Sequence, residues 1–462
     1  LYGDQERWTD AANAYRAFAA REPNHEQSPV LQMQAVEAYR RGGFASLVLD
    51  GKREFVERYR LGSPFWSTRE PQSLPLVVSQ LKSNVKDLAA FHHSQAQASK
   101  QSADYQEAAR WYREFLQSFP DDAEAPATNY LLADSLFESR QYRAAATEYE
   151  RTAYAYPPHD KSGVAAYAAI VAYDREEAQL PAGEARVALQ RERLASGLRF
   201  ATTYDAHPES APVLVRTARE FYDLNDYAQA ISAADLVLAK QPPVDVEKQR
   251  TAWTVIANGR FELGEFDDAE GAYLQVQSLL VPSDPQRAAI DERLAASVYR
   301  QAEAKKAAGD AAGAVADFLR VAQVAPAAKV RSTADYDAAA LLLQLQDWPR
   351  AIEVLEGFRR DFPKSELQAD VTRKLAVAYV EAGRTGPAAA EFERIANTAA
   401  EPVEVQREAL AQAATLYEKS GDVPRTVATW EAYVKRFPEP FGPALEARQK
   451  LARAADVGDH DL

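Results

Sequence analysis

One pattern of apolar positions occurs twice between residues 105 and 157 and then returns along most of the chain. Steps of +3, +7, +10 and +15 from Tyr105 reach Ala108, Tyr112, Phe115 and Pro120. The same steps from Tyr142 reach Ala145, Tyr149, Thr152 and Pro157. Spacings of three and four residues lie on one face of a helix. The pattern therefore predicts amphipathic helices that end before a proline, which cannot donate the next backbone hydrogen bond.

A second regularity is an alanine nine residues before each such helix. Eight second helices are predicted to begin at Tyr105, Tyr142, Tyr227, Phe266, Ala311, Trp348, Thr385 and Val423. The alanines that precede them are Ala96, Ala133, Ala218, Ala257, Ala302, Ala339, Ala376 and Ala414. A small residue there, facing the small residue at +3, lets two antiparallel helices approach closely. The pattern thus predicts pairs of helices.

The turns and starts of these helices also carry signals. Four units have glycine two residues before the second helix, where a turn favours a positive φ: Gly264, Gly309, Gly383 and Gly421. The stretches Ser283–Gln286 and Ser365–Gln368 have the sequence of capping boxes, so we expect first helices to begin there.

This layout resembles the tetratricopeptide repeat, a pair of helices of about 34 residues. The resemblance covers nearly the whole chain. It implies an all-α fold, a right-handed superhelical solenoid of about ten antiparallel helix pairs with a C-terminal capping helix over residues 440–455. In such an array each unit buries its apolar face against its neighbours, so 462 residues need no single large core.

The match divides the chain into five segments. They are residues 1–60 with an incomplete first unit, a Pro-rich insertion at 61–83, a central array at 84–242 whose unit 162–208 is lengthened, a C-terminal array at 243–438, and a capping helix with a polar tail at 439–462. The half-repeat around Trp8 predicts that upstream sequence or another chain covers it. In the insertion, Phe65 and Trp66 either contact a partner or fold back on the adjacent helices.

Composition narrows the function classes. The chain has 54 basic and 68 acidic residues, a net charge of −14, which argues against a nucleic-acid partner because that would require a basic stripe. Cysteine is absent, which excludes disulfides, thiolate metal sites and a cysteine nucleophile. No run reaches the ~18 consecutive apolar residues of a membrane span, so membrane association would need sequence upstream of Leu1.

Catalytic signatures are missing from the sequence. It contains no phosphate loop, dinucleotide-binding turn or nucleophile elbow. The adjacent pair His92 and His93 lies about 100° apart on a helix, whereas helical metal pairs use i and i+4, so we expect one to pack and one to be solvated. We therefore predict a protein without catalytic residues, metal or cofactor.

A concave wall of first helices is the expected binding surface. With the alanine counted as position 8, positions 5, 6, 9 and 12 face this groove and include Tyr130, Phe137, Arg216, Arg219, Tyr222, Phe261, Tyr299 and Arg300. Aromatic and arginine side chains dominate binding hot spots. Arginines on an acidic protein suggest that the groove receives an acidic protein or peptide segment. The alternative is that several of these side chains only pack between neighbouring helices.

A narrower resemblance concerns the unit endings. The phrases at 112–120 and 358–365, with aromatics before a proline and then Ser or Asp, resemble tetratricopeptide proteins of the bacterial envelope, namely outer-membrane assembly lipoproteins and Tol–Pal proteins. This resemblance implies a protein-binding scaffold that is periplasmic or outer-membrane-associated, with a cytoplasmic location as the alternative. A self-assembling structural solenoid is the second functional hypothesis, and an enzyme without recognisable motifs is the third.

Overall fold

The computed structural model describes the backbone of residues 6–460 and the side chains of residues 6–454. Over that range it contains 22 α-helices, two short 3₁₀ helices and no β-strand. The predicted all-α helical solenoid is confirmed, while its right-handed sense stays a prediction. The chain forms two compact units, Leu1–Leu224 and Asn225–Leu462, and each is described by itself. The five predicted segments likewise stay a prediction.

The first unit contains ten of these helices and both 3₁₀ helices. The helices are α1 (Trp8–Arg21), α2 (Ser28–Arg41), α3 (Ala45–Tyr59), the 3₁₀ helices Pro64–Trp66 and Pro71–Ser73, α4 (Pro75–Ser99), α5 (Ser102–Ser118), α6 (Ala125–Glu138), α7 (Tyr142–Tyr154), α8 (Ser162–Glu177), α9 (Glu184–Thr203) and α10 (Ser210–Asp223). Within this unit, each helix packs mainly on the helices next to it in the chain.

The second unit continues the same order. Its helices are α11 (Tyr227–Leu238), α12 (Val246–Glu262), α13 (Phe266–Ser278), α14 (Arg287–Ala307), α15 (Ala311–Val324), α16 (Arg331–Gln344), α17 (Trp348–Asp361), α18 (Gln368–Glu381), α19 (Thr385–Ala396), α20 (Val403–Ser420), α21 (Val423–Arg436) and α22 (Phe441–His460). Even-numbered helices from α2 to α20 are the first helices of their pairs, and odd-numbered helices are second helices.

The predicted alanine register is present in the structure. All eight alanines are at most 1% exposed: Ala96, Ala133, Ala218, Ala257, Ala302, Ala339, Ala376 and Ala414. In the pair of α14 and α15, Ala302 shares one buried core cluster with Ala314, the residue at +3 of the second helix. Two methyl groups facing each other leave room for close approach of the two backbones, which brings the larger neighbours into contact.

The turns before the second helices share one backbone conformation. The four predicted glycines have φ between 70° and 85°. In four other units a residue with a side chain takes the same left-handed conformation, with φ between 57° and 63°: Lys100, Arg140, Asn225 and Gln346. Such a conformation costs a residue other than glycine ~1–2 kcal/mol. The turn geometry is therefore kept even where the sequence does not favour it.

The Pro-rich insertion folds back on the first unit. Phe65 and Trp66 are buried, and the Trp66 indole N–H donates to the Tyr59 carbonyl oxygen at 2.9 Å. The Phe65 ring contacts Tyr59 at 5.1 Å between ring centres, and the Arg69 guanidinium lies 4.7 Å from the centre of the Phe65 ring. The aromatic pair thus covers apolar surface and is not presented to a partner.

Two helix starts differ from their predicted capping boxes. Helix α14 begins at Arg287 and α18 at Gln368, later than expected, and neither has a side-chain cap. The Asp284 carboxylate accepts from the Gln286 backbone N–H at 2.8 Å, and the Ser365 hydroxyl accepts from the Leu367 N–H at 3.2 Å. These local turns use the polar side chains before the helix starts. The capping-box prediction was therefore wrong at both places.

The lengthened unit and the last helix follow their predictions. Residues 181–188, in the turn before α9 and its first residues, are all exposed, so the extra length projects from the stack. Ala447 of α22 packs in one core cluster with Trp430 and Tyr433 of α21, and α22 therefore caps the last pair. The α22 backbone continues to His460, beyond the predicted end at residue 455, and residues 461–462 of the predicted tail lie outside the described range.

Gly264 and Gly271 allow the turn conformation to be tested inside one helix pair. A Cβ at either position meets nothing within 4 Å, but only Gly264 has a positive φ, of 79°. We expect Gly264→Ala to lower the free energy of unfolding by ~1–2 kcal/mol because of backbone strain. Gly271→Ala, within α13, should raise it by ~0.5–1 kcal/mol. Urea unfolding followed by circular dichroism measures both, and a stabilising Gly264→Ala would contradict the account of the turn.

Candidate peptide-binding face

The residues predicted to line the groove all lie on first helices. Helix α6 carries Tyr130 and Phe137, α10 carries Arg216, Arg219 and Tyr222, α12 carries Phe261, and α14 carries Tyr299 and Arg300. Arg219 and Arg300 are exposed and the other six are half-buried. Each therefore keeps some contact with solvent. Their use as a binding surface stays a prediction, and their contacts decide which of them are available to a partner.

The aromatic residues of α6 pack within their own helix pair. The Tyr130 ring meets the Tyr149 ring edge-on at 5.8 Å, and the Lys161 ammonium lies 5.9 Å from its centre. Phe137 meets Tyr142 edge-on at 5.2 Å. Burial raises the pKa of Tyr130, which keeps its phenol neutral at physiological pH. Both rings thus join α6 to α7 while leaving one side open.

The two arginines of α10 differ in their contacts. Arg216 Nη1 lies 2.9 Å from Asp174 Oδ2 on α8, and its Nε lies 3.7 Å from Glu220 Oε1. Arg219 is exposed, and no ion pair joins it to another side chain in the part of the chain described. Most of the Arg216 charge is therefore balanced within the fold, whereas that of Arg219 is available. Tyr222, one turn further on, is half-buried.

A buried arginine that the groove prediction did not include organises this region. Arg193 of α9 is 4% exposed, and its Nε lies 2.9 Å from Glu177 and 3.1 Å from Asp174. Its Nη1 lies 3.4 Å from Glu220 Oε1. Burial alone would lower the pKa of Arg193, but its hydrogen bond and charge contact with Glu220 raise that pKa overall. One cation thus connects carboxylates of α8 and α10.

The sequence did contain a signal for this arginine. Leu189, Arg193, Ser196 and Phe200 follow one another at steps of four, three and four, and all are buried. An arginine in such an apolar stripe must find carboxylates, because a buried charge without a partner is costly. Reading the lengthened α9 for its face, as well as for its length, would have found it.

An open cleft of about 150 Å³ lies between α8 and α10 in the first unit. Its lining residues come in four pairs, each separated by 42 residues: Tyr167 and Glu209, Ile170 and Pro212, Val171 and Val213, Asp174 and Arg216. The two middle pairs supply an apolar floor and wall, the first pair places an aromatic ring opposite a carboxylate, and the last is the ion pair at 2.9 Å. The Tyr167 ring is held by Phe200 at 5.8 Å and by His207 at 5.9 Å.

In the second unit the predicted groove residues contact other residues of the fold, and Tyr299 connects its helix to neighbouring helices. The Tyr299 hydroxyl donates to Asp337 Oδ2 at 2.8 Å, and its ring lies 5.2 Å from Phe318. Arg300 Nη1 lies 2.8 Å from Glu303 on its own helix. Burial, with further help from Asp337, raises the pKa of Tyr299, so its phenol stays protonated and can donate. The packing alternative thus accounts for much of this face.

Phe261 has a similar role at the end of α12. Its ring meets Phe266 edge-on at 5.3 Å, and the Arg293 guanidinium lies 5.8 Å from its centre. The contact joins the end of one helix to the start of the next.

The adjacent histidines are both used in packing. His92 is buried and stacks on Trp111 at 6.3 Å, while Arg53 Nη2 lies 3.5 Å from its Nε2. His93 is half-buried and hydrogen-bonded to the Tyr112 hydroxyl at 3.0 Å. The expectation that one packs holds for His92, but His93 is more than a solvated side chain. No group of three or more His, Asp or Glu residues that could hold a metal ion occurs among the described residues.

Two segments of the chain match a known family of repeats. Residues 215–288 and 336–402 match the tetratricopeptide repeat family model. These two segments carry tetratricopeptide repeats. This confirms the resemblance that the alanine and proline register indicated, and the matched segments include residues of α10, α12 and α16. No curated protein sequence matches the chain.

Solved structures with similar repeats are distant. The crystal structure of the P58(IPK) TPR domain has 14% identity and a TM-score of 0.24, covering 91% of this chain and 96% of that one. The Naa15/Naa10 complex bound to HypK-THB gives 12% identity and a TM-score of 0.28, with coverage of 99% and 78%. A human IFIT1 dimer with m7Gppp-AAAA has 12% identity and a TM-score of 0.25, covering 97% of this chain and 95% of that one. Likenesses this distant carry no inference about ligands.

Arg193 and Arg175 provide a matched pair of substitutions near the cleft. Arg175 lies on α8, is exposed, and has no ion pair within residues 6–454. We expect Arg193→Met to cost on the order of 3 kcal/mol of unfolding free energy, because the three carboxylates then lack their cation. Arg175→Met should change it by less than ~0.5 kcal/mol. Urea midpoints at constant pH measure both, and equal midpoints would show that the Arg193 cluster contributes little.

Proposed function

We propose that this protein is a non-enzymatic scaffold that binds segments of other proteins along the exposed face of its first helices. The observation that carries the proposal is the cleft between α8 and α10, with its apolar floor of Ile170 and Val213 and its half-buried Tyr167. Stacked helix pairs form extended binding surfaces of this kind. A concave site that combines an apolar floor with a few polar and charged groups suits side chains of a partner.

The proposal includes a place in the cell. The unit endings resemble those of bacterial envelope proteins, and we propose on that basis a periplasmic or outer-membrane-associated scaffold that joins components of an envelope assembly. No helix of the described residues is long and apolar enough to cross a membrane. The partners expected are proteins or peptide segments, and the exposed Arg219 favours an acidic residue in the part that it meets.

The contacts of Arg216 decide which charge reversal best tests the electrostatic contribution to partner binding. Reversing both Arg216 and Arg219 would also break the contacts of Arg216 with Asp174 and Glu220. Arg219→Glu alone avoids this, because Arg219 is exposed without an ion pair in the described range. We expect Arg219→Glu to weaken partner binding at least tenfold, ~1.4 kcal/mol, with an unchanged melting temperature. The loss should shrink at high salt.

Photo-crosslinking tests the position of the binding face. A benzophenone amino acid at Val164, which is 45% exposed and lies one turn before Tyr167 on the face of α8 that lines the cleft, should give protein adducts in an envelope extract, and adducts should decrease in the Arg219→Glu background. The same group at Thr202, exposed on the second helix α9, is the matched control. Equal adducts at both positions would reject this face. Adducts formed only in a cytosolic extract would reject the envelope location while keeping the binding role.

Self-assembly remains a second candidate because of the last helix. Phe441 of α22 is 69% exposed and Leu445, one turn later, is 42% exposed. Two apolar side chains four residues apart on an end helix offer a contact for a second copy. Light scattering should then show a mass that rises with concentration and returns to that of the monomer in Phe441→Ser/Leu445→Ser. A concentration-independent monomer would exclude this candidate.

A further inference from the structure

The cleft between α8 and α10 has the size and chemistry of a pocket for one aromatic side chain. Its volume of about 150 Å³ is of the order of a cavity that holds benzene. Ile170 and Val213 are buried below it, and Tyr167 forms one wall with its ring held by Phe200 and His207. Rings pair well edge-to-face with such a fixed ring. An aromatic anchor is therefore favoured over an aliphatic one.

The charges beside the cleft lie on one stripe of α10 and its N-terminal residue. Glu209, Pro212, Arg216 and Arg219 follow at steps of three, four and three, which is one face of a helix. Pro212 is part of the apolar lining, and the Arg216 charge is balanced by Asp174 and Glu220. The stripe therefore presents one uncommitted charge at each end, negative at Glu209 and positive at Arg219.

Neither end charge is used elsewhere in the described structure. Glu209 is half-buried at the start of α10, lines the cleft, and has no ion pair with any side chain of residues 6–454. Arg219 is exposed and, over the same range, equally without an ion pair. The ten residues between them correspond to about 15 Å along a helix at 1.5 Å per residue. A partner segment crossing the cleft thus meets opposite charges about 15 Å apart.

We infer that the cleft binds an extended segment with an aromatic side chain at its centre, a basic residue on one side and an acidic residue on the other. An extended chain advances about 3.3 Å per residue, so charges four residues apart lie about 13 Å from each other. The aromatic residue midway then falls over Pro212 and Val213. The basic residue meets Glu209 and the acidic residue meets Arg219. The inference rests on the proposed function and names the partner chemistry of the same face.

This chemistry differs from the acidic protein or peptide segment that the sequence suggests as the partner. That expectation counted Arg216 and Arg219 as two free positive charges, whereas the ion pair with Asp174 removes the first from the count. Glu209 was not a groove candidate, although it lines the cleft directly. Like charges juxtaposed across an interface are unfavourable. A partner segment with a second acidic residue next to Glu209 should therefore bind more weakly.

A peptide selection on the whole chain tests this inference. Random dodecapeptides displayed on phage are selected against the immobilised protein at low salt, and the enriched sequences are compared. We expect peptides with one shared pattern to be enriched at least tenfold. They have an aromatic residue, a Lys or Arg two positions to one side of it, and an Asp or Glu two positions to the other side. The enrichment should be lost with Val171→Trp, which fills the cleft, and kept with Thr202→Trp on the exposed face of α9.

Charge variants make the assignment of the two ends specific. Glu209→Lys should change the selected consensus to acidic residues on both sides of the aromatic, and Arg219→Glu should change it to basic residues on both sides. Acidic residues on both sides in the unmodified protein would overturn the inference while leaving the proposed function intact. A consensus unaffected by Val171→Trp would also overturn it. Failure of the crosslinking at Val164, by contrast, would reject the proposed function itself.

Discussion

The contact on which the rest of the structure depends is the close approach of two helices at a pair of small residues. Ala302 and Ala314 show it directly, since both are fully buried in one cluster. Because the backbones come together there, Val298 and Phe318 on either side reach each other in the same cluster. A larger residue at the crossing would separate the helices and leave these side chains with voids, which cost dispersion energy. The turn conformation and the terminal prolines then follow as means of returning the chain to that crossing.

Most of the fold could be predicted because its determinants are local. The alanine, glycine and proline positions each act within one helix pair, so their spacing is visible in the sequence. The pattern is interrupted in α3, because Gly51 stands where most other second helices have an aromatic residue. The structure explains it: a Cβ on Gly51 would lie 2.8 Å from Cγ2 of Val36 on α2. The left-handed residues Arg140 and Gln346 had no sequence signal, because neither residue type favours that conformation.

The candidate site was less predictable because charge availability depends on contacts between helices distant in sequence. The register placed Arg216 and Arg219 three residues apart on a first helix, α10. It could not show that Asp174, 42 residues before Arg216, accepts a hydrogen bond from Arg216 while Arg219 stays exposed. For Arg193 the stripe on α9 indicates a buried position, but only the packed structure shows that its three carboxylate partners come from α8 and α10. Residue type and position can indicate a binding surface, but which charges remain uncommitted is a property of the packed structure.

The sequential packing within each unit has a mechanical consequence. Since each helix within a unit rests mainly on the helices next to it in the chain, a terminal pair can detach while the rest of the unit keeps most of its contacts. A pulling force on a unit would therefore meet a series of small, similar barriers and not one large one. Such a chain lengthens in steps and can re-form pair by pair when the load is released. A fold of this kind can therefore extend and recover under load, in addition to presenting an extended surface.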